Sequence, residues 1–135
     1  NMTAATQLTG AVTIRETGPL HSGPHTYTPE WLKDHIGDVV LARRDIGTSY
    51  HLSVTIDDAA QGVTLVVRGE DLFSATPVHA VLQRLFDLPA PAYHHHRLIR
   101  DNAGKRLAKR DDSRALSLYR SDGATPADIR RILGI

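Results

Sequence analysis

The sequence predicts an α/β domain, a mostly parallel sheet with flanking helices, and three features of residues 63–110 carry that prediction. A short apolar run, Val63 to Val67, ends on Arg68-Gly69-Glu70-Asp71. Thr76-Pro77 then opens an amphipathic helix, with Thr76 as N-cap and Pro77 in the first turn, and Pro89 and Pro91 close it. A second extended run, Ala92 to Ile99, leads into a Gly-containing loop crowded with Lys105, Arg106, Lys109 and Arg110. Strand, charged turn, helix, strand and basic loop, in that order, build an open sheet whose ligands sit beyond the carboxyl ends of its strands. An anion is expected at the basic loop.

Taken in order, residues 1–10 read as a flexible terminus, with Asn1 set aside as an addition ahead of Met2, and residues 11–135 as a single domain. Ala11 to Glu16 alternates well enough for a short strand, and Gly18 to Pro29, with two Gly, three Pro and no periodicity, reads as a surface loop. Pro29 opens a turn or two of helix ending near Gly37, with Trp31 as its anchor against the sheet. Asp38 to Arg43 is a compact β-branched run and is expected to be the central strand. The next segment is ambiguous on pattern: Tyr50, Leu52, Val54 and Ile56 alternate as in a strand, yet Thr48 or Ser49 suits a helix cap and Gly62 a helix stop. Val63 to Val67 is expected to be buried, and the helix that follows puts Val78, Val81, Leu82, Leu85 and Phe86 on one stripe. After the basic loop, residues 113–135 form a helical tail. Asp112 or Ser113 caps one helix, with Leu116, Leu118 and Tyr119, and Thr125-Pro126 opens another, with Ile129, Ile132 and Leu133.

Composition narrows the class. With 41% apolar and 23% charged residues the 135-residue chain suits a globular domain, and no apolar run approaches the roughly 20 residues of a membrane span. There is no cysteine, so neither a disulfide framework nor a thiolate zinc site is expected, and a reducing cytoplasm is the expected location. The net charge of +1 means that attraction to nucleic acid must come from local clustering. His94-His95-His96 invites a metal, but neighbours on a strand point to opposite faces and no carboxylate stands beside them, so no zinc is expected. One of these histidines is expected to touch a nucleotide or pack near the loop. His51 and His79 carry no ligand spacing.

RGEDLFSATPVHAVLQRLFDLP, then YHHHRLI and GKRLAKRD, resembles the second half of the catalytic domain of glutamyl-tRNA synthetases, and most of all the shortened glutamyl-Q tRNA(Asp) synthetases. The resemblance reaches back through GDVVLARRDIGTSYHLSVTIDDAAQG and forward through SLYRSDGATPADIRRILG, roughly residues 37–134. It implies half of a class I synthetase Rossmann-like nucleotide-binding fold, and it favours the helix over residues 49–62.

The resemblance also implies roles. Arg106 to Arg110 is similar to the KMSKS-type loop, in which Lys109 matches the ATP-contacting lysine, with Lys105, Arg106 and Arg110 beside it and Ala108 where a Ser is frequent. Mobile cations there offset the charge that builds as a carboxylate attacks the α-phosphorus and pyrophosphate departs. Tyr50 and Arg68 match residues that hold the glutamate substrate, and a planar guanidinium suits a carboxylate bidentately. Without the family context, the readings are a solvated basic loop, a surface ion pair of Arg68 with Glu70 or Asp71, and a half-buried Tyr50. Asp57 and Asp58 read as structural caps or hydrogen-bond acceptors. ATP with Mg2+, glutamate and tRNA, including queuosine-containing tRNA(Asp), are the implied cofactor and partners.

The HIGH-type motif of such enzymes has no match, because His35-Ile36-Gly37-Asp38 falls too late to serve, and the chain reads as the C-terminal half of the catalytic domain. Half of a preorganised site is a poor catalyst. Three readings are therefore open: an ATP-dependent glutamate-activating enzyme, incomplete as this chain; a non-catalytic nucleotide-, tRNA- or partner-binding module; or an interaction domain that self-associates through the sheet edge left exposed by the missing half. An N-terminal-half polypeptide is the partner expected under the first.

Overall fold

The computed structural model describes residues 1–100, 104 and 115–134. The chain divides into two compact units, Asn1–Arg97 and Leu98–Ile135. In the first, a four-stranded sheet has the order β2-β1-β4-β3. Here β1 is Val12–Glu16, β2 Gly23–Tyr27, β3 Leu65–Gly69 and β4 Ala92–His96. β1 pairs with β2 antiparallel, from Val12 opposite Tyr27 to Glu16 opposite Gly23. β4 is parallel to both of its neighbours, with Glu16 and Val66 on either side of Tyr93.

The helices of this unit are α1 (Met2–Thr9), α2 (Pro29–Trp31), α3 (Tyr50–Ala60) and α4 (Thr76–Leu85). A π-helical stretch, Leu32–Ile36, extends α2, and a 3-10 stretch, Glu70–Ala75, leads into α4. Residues 76–83 of α4 are all buried, because the helix lies between the sheet and helices α1 and α3. Its Ala80 and Val81 join Met2, Val12, Ile14, Leu32 and Tyr93 in the core. The alternation of β1 turns Val12, Ile14 and Glu16 inward, and the last of these is a carboxylate.

Five expectations need correcting. The N-terminal stretch is helical: the Asn1 side chain accepts from Ala4 N at 2.9 Å, and Met2, Thr6 and Thr9 form a buried stripe. Residues 38–43 form no strand. Asp38 instead accepts from Met2 N at 2.7 Å, Val39 and Leu41 line a pocket with Met2, Ala5, Val81 and Leu85, and Val40 is exposed, so the apolar run faces helices on one side and joins no sheet. Part of the supposed surface loop is β2, whose Tyr27 packs on Trp31 at 4.6 Å. β3 is an edge strand and not a buried one, with Leu65 47% and Val67 61% exposed. Finally, Thr76 does not cap α4; Ala75 holds that position, and the Thr76 hydroxyl is used in the interior.

The helical reading of residues 49–62 holds. The Ser49 hydroxyl accepts from Leu52 N at 3.4 Å, and Gly62, with a φ of 68°, follows the last turn. In the second unit, α5 is Leu116–Ser121 and α6 Pro126–Leu133. Thr125 and Asp128 form a reciprocal capping box on α6. Asp112 and Ser113 lie outside the described residues. Among the described residues no helix is long and apolar enough to cross a membrane.

Candidate active site

Arg68 is the penultimate residue of β3, and its side chain turns beneath α4 instead of out to solvent, leaving it 9% exposed. The guanidinium is held on several sides. Nε donates to His95 Nε2 at 3.0 Å, Nη1 to His79 Nδ1 at 3.2 Å, and Nη2 to Thr76 Oγ1 at 2.8 Å and the Leu72 carbonyl at 3.4 Å. Its carbon lies 5.3 Å from the centre of the Tyr93 ring, a cation–π contact. Among the described residues no carboxylate forms an ion pair with it; Glu70 pairs with His21 at 3.7 Å instead.

Both imidazoles that accept from Arg68 are neutral. Burial, then the Arg68 charge, push His79 down to about 3. Its Nε2 is left to donate to His51 Nδ1 across 3.0 Å, and His51 is also pushed down, by burial and by Arg68. Burial lowers His95 too, against the pull of Glu16. For Glu16, burial pushes the carboxyl up, but hydrogen bonds from the His95 side chain, His95 N and Gly18 N outweigh it and hold the group below its ordinary value. Of the two opposed influences on the Glu16–His95 pair, geometry favours the neutral imidazole: His95 Nε2 can accept from Arg68 only if unprotonated. Glu16 is therefore the ionised partner.

Tyr50, 52% exposed at the start of α3, lies edge-on to His51 at 5.7 Å and to His79 at 6.0 Å between ring centres. His79 thus contacts both Tyr50 and Arg68, which the structure brings to one side of α4. Asp58, on the same helix as Tyr50, is half-buried; burial pushes its carboxyl up and the Arg68 charge pulls it down. Asp57 and Asp58 also supply the carbonyls that accept from Gln61 N and Val63 N at the end of α3. Lys105, Arg106, Lys109 and Arg110, and with them any convergence with Arg68, lie outside the described residues. A cavity of about 840 Å³ lined by Thr13, Glu16, Thr64 and Ala92 opens at the amino ends of β3 and β4 and includes neither Tyr50 nor Arg68.

Strand alternation divides the three histidines. His95 faces the interior with Tyr93, whereas His94 Nδ1 meets Thr17 Oγ1 at 3.1 Å and His96 Nδ1 meets the Arg97 carbonyl at 2.8 Å. Among the described residues no cluster of side chains is suited to a metal ion. Glu16, His79, His95 and His51 were not singled out as site residues by sequence. Glu16 carried one signal, its inward position on β1, and His79 another, its place on the buried part of α4.

Comparison with known proteins identifies relatives of the chain. The family described as tRNA synthetases class I (E and Q), catalytic domain, matches residues 15–135. A glutamyl-Q tRNA(Asp) synthetase of Rhodobacter capsulatus is 68% identical over 122 residues, 90% of this chain and 44% of that protein. One from Nocardia farcinica is 46% identical over 98 residues, 73% of this chain and 32% of the relative. Among solved structures, a glutamate tRNA ligase from Elizabethkingia meningosepticum, in complex with its amino acid, superposes with a TM-score of 0.58 at 27% identity, over 77% of this chain and 20% of that one. The chain spans less than half the length of these curated relatives.

Proposed function

This chain belongs to the class I tRNA synthetase (E and Q) catalytic-domain family, and from that premise we propose that it forms the glutamate-recognising part of a glutamyl-Q tRNA(Asp) synthetase. The reaction is ATP-dependent activation of glutamate followed by transfer to tRNA. Arg68 pairs with a carboxylate of the amino acid and Tyr50 lines the same pocket. Lys109, with Lys105, Arg106 and Arg110, meets the triphosphate with its Mg2+, and Lys109 stabilises the departing pyrophosphate.

The observation that carries this reading is a guanidinium at the carboxyl end of a parallel strand, buried against two neutral imidazoles with no ion-paired carboxylate among the described residues. A buried cation with no carboxylate in direct contact among the described residues is costly, and an anionic ligand lowers that cost. Glutamate-dependent ATP–pyrophosphate exchange tests it. Exchange is expected to fall on the order of a hundredfold in Arg68→Gln, the loss of the buried positive charge and of its charge-assisted contact. It is expected to fall comparably in Lys109→Ala, and wild-type rates in both would overturn the assignment. If exchange is absent but Arg68-dependent glutamate binding is present, the non-catalytic module is the function of this chain.

A further inference from the structure

The interior of the first unit holds a carboxylate that the proposed chemistry does not use. Glu16 is buried at the end of β1, with His95 between it and Arg68. Its two oxygens do different work. Oε1 accepts from Gly18 N at 2.6 Å and from His95 N at 3.0 Å, while Oε2 faces His95 Nδ1 at 2.5 Å. The ionised carboxylate has no proton to give, so Nδ1 must carry the hydrogen and Nε2 is left as an acceptor. Arg68 Nε donates to that acceptor. On the other side His79 Nδ1 accepts from Nη1, its tautomer fixed if its Nε2 donates to His51. Among the described residues four of the five guanidinium N–H groups are thereby engaged, leaving one on Nη1.

We propose that Glu16 is a positioning residue for Arg68: by fixing the His95 tautomer it fixes the guanidinium, while the imidazole keeps the carboxylate out of contact and the cation available to an anionic ligand. This rests on the reading of Arg68 as the amino-acid contact. A direct Glu16–Arg68 pair would hold the side chain equally well but would neutralise the charge that an anionic ligand is drawn to. A neutral spacer achieves the first without the second.

Glu16→Gln is isosteric and inverts the polarity of the relay. Oε1 is committed to two backbone N–H groups, so the new amide nitrogen must take the place of Oε2 and donate to Nδ1. His95 then carries its hydrogen on Nε2, facing the Arg68 Nε–H.

The experiment uses the full chain, 15N-labelled, with imidazole and arginine Nε–H spectra at neutral pH and L-glutamate as titrant. In the wild type His95 is expected as the Nδ1–H tautomer; an Nε2–H tautomer or an imidazolium overturns the proposal, whether or not the variant folds. In Glu16→Gln the tautomer is expected to reverse, the Arg68 Nε–H resonance to move, and glutamate affinity to fall at least about tenfold. Retention of the wild-type tautomer, or of full glutamate affinity after reversal, overturns it. If the wild-type chain binds no glutamate, the reading of Arg68 as the amino-acid contact fails, and the tautomer and Arg68 resonance alone decide the role of Glu16.

Discussion

His79 shows how a single buried side chain links the site to the stability of the chain. Its folded value of about 3 lies below the ordinary 6.5, so between these values the unfolded chain holds a proton that the folded one does not. Its contribution is therefore complete above about pH 6.5 and falls as the pH drops, at no more than about 1.4 kcal/mol per pH unit. His51 and His95 are lowered too and act in the same direction. Glu16, a lowered carboxylate, contributes above its own unfolded value and loses that contribution only at lower pH. Denaturant melts across pH are thus expected to show destabilisation setting in near pH 6, well above the carboxylate range. His79→Gln keeps an acceptor for Arg68 and a donor for His51 but cannot titrate, so its profile between pH 4 and 6 should be flatter. An unchanged slope would mean that His79 is not neutral in the fold. Tyr50 and Arg68 stand out in the sequence through family order and spacing, and the structure sets both beside His79. The Glu16–His95 contact was not, since 79 positions separate the two and no local pattern reports a pairing that only sheet register creates.

At the scale of elements, the turn after β1 is what allows the relay to close. A Cβ on Gly18 would lie 2.4 Å from the His95 carbonyl and 2.7 Å from Glu16 Oε1, the first of them backbone that cannot swing aside. Gly18→Ala is expected to cost at least about 1–3 kcal/mol, the range for overpacking, and to shift the His95 ring resonances; a melt within error of wild type would count against that crowding. The elements that sequence located best are those with caps and breakers. Ser49 and Gly62 bound α3 despite its strand-like alternation, and Thr125 with Asp128 opens α6. Asp38 to Arg43 was misread for the opposite reason. A β-branched run marks apolar surface to be covered, and it does not specify whether a sheet or a pair of helices covers it.

For the whole molecule, the expectation of an α/β sheet with flanking helices is met: two of the three strand pairings are parallel, and the solved relatives are class I synthetases. Strand order was beyond sequence, because β1 and β4 meet across most of the first unit. That order leaves β3 at the margin, paired among the described residues with β4 alone, and Leu65 and Val67 point from it into solvent. Short apolar strands with free backbone donors are templates for cross-β growth. The purified chain is expected to develop thioflavin fluorescence on prolonged incubation, and Val67→Lys to delay it severalfold without lowering the melting temperature. Equal lag times would show that fibrils nucleate elsewhere. The strand that presents Arg68 would then limit how concentrated a stock can be kept.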